Sequence, residues 1–355
     1  MNSSVLKKYQ YPSGEIDKLI ENYRKGLLNP SDNKIVGKIS CPSEKDFSAI
    51  PEKNSTAYKS FYDKGMSAIM EGKLGVLVLN GGMATRFGGV VKGIVEVYGG
   101  MSFIELKVKD AFRISQEIRF FIMNSFATEK STLEFIENKN YFGRKERIKT
   151  FSQYAAPRIT ENGQLFFNED EKKQYYGPGH GDLPYCFRNS GLLDEFIIGG
   201  GKYIFFSNVD NLGARVDPAI LGFHINSGSE LTAEVAIKSP GDEGGAPAIV
   251  NRRLQMVEGF SFPEGFDSSK ISVFNCSTYW ADASAFKKDF NLPWYTVEKT
   301  VEGAKVVQFE HLAGDMTRFF KTEYLIVPRD ERFYPIKKPQ DLADNRDRIK
   351  ALLGL

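Results

Sequence analysis

The chain reads as an α/β protein built on a doubly wound, mainly parallel sheet with flanking helices. Short, continuously apolar runs at Leu74–Leu79, Phe120–Met123, Ile148–Phe151 and Lys202–Phe206 have the length and composition of strands buried on both faces. Segments of helical period separate these runs. Polar, glycine-rich stretches then follow the carboxyl ends of several strands, which is where doubly wound folds carry their sites.

The elements follow in order. Ser13-Gly14-Glu15 opens a helix running to Leu28, with Ile16, Leu19, Ile20 and Tyr23 on one face and Pro30 beyond its end. Ser55 to Met70 is a second helix carrying Tyr58, Phe61, Tyr62, Met66 and Ile69. Residues 1–72 are therefore expected to form a helical cover for the sheet edge, 73–345 the main domain, and 346–355 a tail. Ser102 caps a helix whose buried side is Phe103, Leu106, Ala111 and Ile114, and Thr128–Glu137 is another. Asp217 before Pro218 starts a further helix. Leu231–Ile237 and Ser272–Trp280 read as strands, Ala246–Val257 as a hairpin, and Gln308–Phe320 as a helix.

With 355 residues, the chain has ample length for a core, and 47 basic against 45 acidic residues give a net charge of +2. No basic field of the kind nucleic-acid binders carry is present, so small-molecule partners are expected. No apolar run approaches the ~18 residues of a membrane span, and MNSSVLKKYQ lacks the apolar core of a signal peptide. Cys41, Cys186 and Cys276 are an odd, widely spaced set without a CxxC. Together these features point to a cytoplasmic protein with reduced thiols.

The chemistry centres on LGVLVLNGGMATRFGGVVKGIVEV, Leu74 to Val97. Gly81 and Gly82 directly after a buried strand let backbone amides approach a phosphate, while Arg86 and Lys92 supply countercharge. A P-loop is excluded because two valines separate Gly89 from Lys92, and a dinucleotide fingerprint because Ala84 stands where its second glycine belongs. Beyond the next strand ends lie FSQYAAPRI with Gln153, YGPGHGD with Gly179 and His180, and SNVDNLG with Asn208 and Asp210. An acidic residue just past a central strand is well placed for Mg²⁺, making Asp210 the expected metal ligand. Further on come Lys238 with Gly244-Gly245, SVFNCSTYW with Asn275, and VPRDERFYPIKK with Lys337.

In this order the motifs resemble those of the eukaryotic-type UTP:glucose-1-phosphate uridylyltransferases, over roughly residues 74–345. The resemblance implies a Rossmann-like nucleotidyltransferase fold and Mg-assisted, in-line displacement at the α-phosphate of UTP by a sugar 1-phosphate. It assigns Arg86, Lys92 and Lys337 to the phosphates, with Gly81 and Gly82 in the nucleotide cradle. Gln153 and Gly179 are assigned to uracil, and His180, Asn208, Lys238, Gly245 and Asn275 to the sugar phosphate. Family enzymes continue after the lysine motif into a β-helix that helps oligomerisation. Here only Pro339–Leu355 follow, so a short form and a monomer are expected. Two other readings stay open. One is an enzyme for another sugar, such as N-acetylglucosamine 1-phosphate. The other is a non-catalytic nucleotide or UDP-sugar sensor, motivated by the departures Ala84, Glu243 and Asp315.

Overall fold

The computed structural model describes residues 3–239, 241–242 and 244–354. Eight strands form its central sheet. In chain order they are β1 (Ser48–Ala49), β2 (Leu74–Asn80), β3 (Arg119–Asn124), β4 (Ile148–Ser152), β5 (Tyr203–Asn208), β6 (Leu231–Ile237), β7 (Val273–Asp282) and β8 (Thr322–Ile326). Their spatial order is β1-β8-β6-β7-β5-β2-β3-β4. All neighbours are parallel except the pairs made by β7, which runs against both β6 and β5.

The apolar runs are explained by burial on both faces. Along β2, Val76 and Val78 enter one core with Phe103, Ile104 and Ile122, while Leu77 and Leu79 enter the opposite core with Phe121, Phe187 and Phe206. The helix Phe103–Ile114 starts at a reciprocal cap, in which Ser102 Oγ accepts from Glu105 N and Glu105 Oε2 accepts from Ser102 N. Asp217 caps Pro218–Ser227 through the amides of Ala219 and Ile220.

The N-terminal segment is woven into several parts of the molecule. Glu15–Arg24 buries Ile16, Leu19 and Ile20 against Ala156, Ile159, Tyr176, Val307 and Phe309. Ile39–Ser40 pairs with Ala246–Val250, and β1 extends the central sheet beside β8. Residues 346–353 are helical and pack Ile349 into the core.

One expected element is a different structure. Gln308–Phe320 is no helix: Ala304–Glu310 is a strand, paired with Tyr295–Val301 and with Ile159–Thr160, and a 3₁₀ stretch spans Ala313–Arg318. The left-handed turn at Glu302-Gly303 (φ 49° and 82°) closes the hairpin. Val306, Val307 and Phe309 then fill a pleated, buried surface, which wins over local helical spacing.

Candidate active site

Strands β2 to β5 end along one edge of the sheet, so the loops after Asn80, Asn124, Ser152 and Asn208 emerge together. Asn80 is wholly buried and organises the first of them. Its Oδ1 accepts from Gly93 N at 3.1 Å, and its Nδ2 donates to Asn124 Oδ1 and Thr132 Oγ1 at 2.9 Å each. The glycine-rich loop is thereby drawn back so that Lys92 lies under it, over the Phe87 ring. Lys92 Nζ donates to the Ile336 carbonyl at 2.6 Å and stands 3.9 Å from Asp210 Oδ2. Burial lowers the Lys92 pKa, the Asp210 charge opposes that, and Arg86 and Lys337 push in the same direction as burial. Arg86 itself is exposed on the turn Thr85–Phe87.

Asp210 meets the far end of the chain through the backbone. Ile336 N donates to Asp210 O and Leu212 N to Tyr334 O, both at 3.0 Å. The buried Asn211 side chain accepts from Tyr334 N at 2.7 Å and from Gly213 N at 3.1 Å. Lys337 is thus delivered beside Asp210. Burial raises the Asp210 pKa, against the fields of Lys92, Lys337 and Lys107. Farther out, Arg332 makes a buried fork with Glu234, with Nε to Oε2 at 2.9 Å and Nη2 to Oε1 at 2.5 Å. Arg329 makes a second fork with Asp242.

A cleft of about 720 Å³ opens here, and its walls include Asn208, Asp210, Gly245, Glu258, Asn275 and Lys337. Among the described residues no cluster of three or more His, Cys, Asp or Glu side chains is arranged to hold a metal alone. Asp210 offers one carboxylate beside lysines, a donor set that suits Mg²⁺ carried mainly by nucleotide phosphates and water.

On the other flank Gln153 is buried and wedged between two glycines. A Cβ on Gly177 would fall 1.8 Å from its Nε2, and one on Gly81 would fall 3.1 Å from it. Glycine at both positions is what admits the glutamine, whose carboxamide has no hydrogen-bond partner among the described residues. Gly82 faces open space. Gly179, at φ 109°, is required by a different neighbour: a Cβ there would fall 2.4 Å from the His311 carbonyl oxygen. His180 Nδ1 accepts from Ala313 N at 2.8 Å, and burial with nearby His311 lowers its pKa to about 4. The ring is therefore neutral at physiological pH and carries its proton on Nε2. Asp182 anchors the turn, accepting from Tyr154 N at 3.1 Å and meeting His311 Nε2 at 2.6 Å, while the His311 ring stacks on Trp294.

Asn275 Oδ1 accepts from Ser277 N at 2.8 Å, its Nδ2 donates to Tyr279 Oη at 2.8 Å, and its amide donates to Gly245 O at 2.9 Å. Cys276, Ser277 and Thr278 stand opposite Glu234 alone, because the β6–β7 register jumps from Ala233↔Tyr279 to Val235↔Asn275. At this bulge Ser277 takes φ 51° and faces the cleft. Lys238 is not brought to the cleft wall; its Nζ donates to the Ser268 carbonyl at 3.0 Å. Asp315 is buried and compensated by Tyr295 Oη at 3.0 Å and Arg318 Nε at 2.9 Å. Ala84 is buried, and Glu243 lies outside the described residues.

Sequence reasoning passed over Asn80, Lys107, Glu258 and His311. Lys107 alone carries a local signal, a charged residue at the core phase of an amphipathic helix. Glu258 has none, since the hairpin that carries it reaches the cleft only through tertiary packing.

Comparison with known proteins identifies the family and the fold. A family model described as UTP–glucose-1-phosphate uridylyltransferase matches residues 32–349. The UTP–glucose-1-phosphate uridylyltransferase of Musa acuminata is 32% identical over 375 residues, covering 96% of this chain and 78% of that protein. The probable enzyme of Schizosaccharomyces pombe is 34% identical, covering 78% of this chain and 59% of that protein. The chain thus spans only part of the length of its curated relatives. The crystal structure of UDP-glucose phosphorylase from Trypanosoma brucei superposes with a TM-score of 0.75 at 27% identity, covering 92% of this chain and 72% of that one. The uridine diphosphate N-acetylglucosamine pyrophosphorylase of the same organism gives 0.78 at 19% identity, covering 96% and 77%, a likeness of fold. With the strand-end lysines, the GHGD turn and the SNVDNLG loop gathered at one edge of such a sheet, the chain belongs to the UTP–glucose-1-phosphate uridylyltransferase family.

Proposed function

We propose that this chain forms UDP-glucose and pyrophosphate from UTP and glucose 1-phosphate by in-line displacement at the α-phosphorus. A phosphate oxygen of the sugar attacks, the bond to the bridging oxygen breaks, and pyrophosphate leaves with the electron pair. The attacking group is already an anion, so no general base is required, and the protein's work is to hold two repelling polyanions in line. The observation that supports this reading most directly is the hydrogen bond from Ile336 N to Asp210 O, which sets Lys337 beside the carboxylate that Lys92 approaches from the other side.

In this reading Lys92 and Arg86 bind the UTP phosphates and Lys337 the charge growing around the α-phosphate. Gln153 offers a donor and an acceptor to the edge of uracil, over Gly81 and Gly82. Neutral His180 donates one hydrogen bond from Nε2 to the sugar phosphate. Asn208, Gly245 and Asn275 line the sugar side. Burial and the nearby Asp315 raise the Glu258 pKa to about 7, which lets its carboxyl group donate to or accept from a sugar hydroxyl. Asp210 would hold Mg²⁺, which when bound would supply positive charge to neutralise the nucleotide phosphates.

Pyrophosphate release from UTP with a panel of sugar 1-phosphates tests the reading. Turnover is expected with glucose 1-phosphate in preference to N-acetylglucosamine 1-phosphate, and Asp210→Asn should lower kcat by about 100-fold while UTP still binds. UTP binding without pyrophosphate release from any sugar 1-phosphate favours a sensor. Preference for the N-acetylated sugar favours the other enzyme branch.

A further inference from the structure

Lys107 lies on the buried face of the helix Phe103–Ile114, with 5% of its surface exposed. A lysine so placed usually contacts a carboxylate. Here Nζ donates instead to two backbone carbonyls, Asn211 O at 2.6 Å and Ala214 O at 2.5 Å. One turn along the same helix, Asp110 accepts from Val216 N and Arg215 Nε at 2.9 Å each. One helix face therefore grips the loop after β5 by its carbonyls at one end and by an amide and a guanidinium at the other. The opposite side of that loop is the segment Tyr334–Lys337, joined to it through Ile336 N, Leu212 N and the Asn211 side chain. Lys107 does not itself line the cleft, reaching it only through the carbonyl of Asn211, and the mechanism above does not use it.

We infer that Lys107 is a positioning residue: by holding the Asn211 and Ala214 carbonyls it fixes the turn from which the Asp210 carboxylate and, through the paired strand-end segment, the Lys337 ammonium reach the cleft. This inference rests on the proposed transferase reading for its kinetic consequence and on geometry alone for its structural one. Both carbonyls belong to buried residues; a side chain without donors takes the partner from Ala214 O and leaves Asn211 O with the Ala214 amide at 3.2 Å, so the loop shifts to find another donor. Such a shift moves Asp210 and Lys337 together relative to the backbone of Lys92, which follows β2, and strains the bond from Lys92 Nζ to the Ile336 carbonyl.

The test uses the full chain and two variants, Lys107→Met, which keeps the volume and removes the donors, and Lys107→Gln, which keeps a neutral donor. Amide hydrogen exchange in peptides covering 209–214 and 334–337 should quicken by about tenfold in Lys107→Met, the scale of one lost buried hydrogen bond. The remote hairpin Tyr295–Glu310 should be unchanged. The kcat per folded molecule should fall by on the order of 100-fold with little change in KM for UTP, the scale on which misplaced charge acts. Lys107→Gln should lie between wild type and Lys107→Met in both readouts. Unchanged exchange in the two segments, equal acceleration in the hairpin, or a kcat that stays at the wild-type value while exchange rises would each overturn the assignment. A wild-type protein inactive with every sugar 1-phosphate sinks the transferase reading instead, and the exchange comparison still decides whether Lys107 holds the two segments.

Discussion

Glu258 is the residue whose ionisation differs most usefully from that of an ordinary carboxyl group. Its carboxyl group lies between Gly245 and Gly314, at the cleft, and its pKa rises from 4.5 to about 7 because burial and Asp315 both oppose its charge. Between those values the folded chain keeps a proton that the unfolded chain has released. Stability contributed by this group is thus full below the unfolded pKa and falls as pH rises through the window. Glu258→Gln should remove this slope, so its gain in urea midpoint over wild type should be larger at pH 8 than at pH 5. A gain independent of pH would mean the carboxyl group ionises normally. At the opposite flank His180, drawn down to about 4, stays neutral in the folded chain while the unfolded imidazole takes up a proton below its ordinary pKa, so it adds a slope of opposite sign that Glu258→Gln leaves unchanged.

Among the elements, β7 is the one whose design departs from the parallel sheet. It runs antiparallel between β5 and β6 and bulges at Cys276–Thr278, presenting Asn275 and Ser277 to the cleft. The residue opposite the bulge, Glu234, is wholly buried and accepts from Trp280 Nε1 at 2.8 Å as well as from the Arg332 fork. Arg332 also donates to Arg215 O at 2.7 Å, so one buried ion pair links the bulge, the Asp210 loop and the segment leading to Lys337. Glu234→Leu strands a buried guanidinium and should cost ~3–5 kcal/mol in urea unfolding, the scale of breaking a buried pair from one side. A loss below about 1 kcal/mol would show that Arg332 finds another partner or water.

At the scale of the whole molecule, the sheet brings together residues distant in sequence. Lys92 follows β2, Asp210 follows β5 and Lys337 follows β8, and the backbone bonds of Tyr334–Ile336 to Asp210–Leu212 close the assembly. If both lysines act on one phosphate, Lys92→Ala and Lys337→Ala should each lower kcat by about 100-fold, and the double variant should lose less than the product. Losses that multiply fully would place the two ammonium groups at independent steps.

The α/β class, most strand and helix positions, and the order of polar stretches at strand ends were legible from local composition. Continuous apolar runs can only be satisfied in a sheet covered on both faces, and caps such as Ser102 and Asp217 act within a few residues of themselves. The glycines of the first loop and the GHGD turn were legible as backbone devices, yet their actual neighbours were not: Gly177 makes room for Gln153, and Gly179 for the His311 carbonyl. Gln308–Phe320 misled because a strand whose partner is supplied by a hairpin carries no local mark distinguishing it from an apolar helix face. Lys238, Glu258 and Lys107 were decided by tertiary structure for one reason. Whether a charged side chain turns to a cleft, to a carbonyl or into the core depends on which unpaired groups lie across from it, and those groups come from segments that spacing along the chain does not connect.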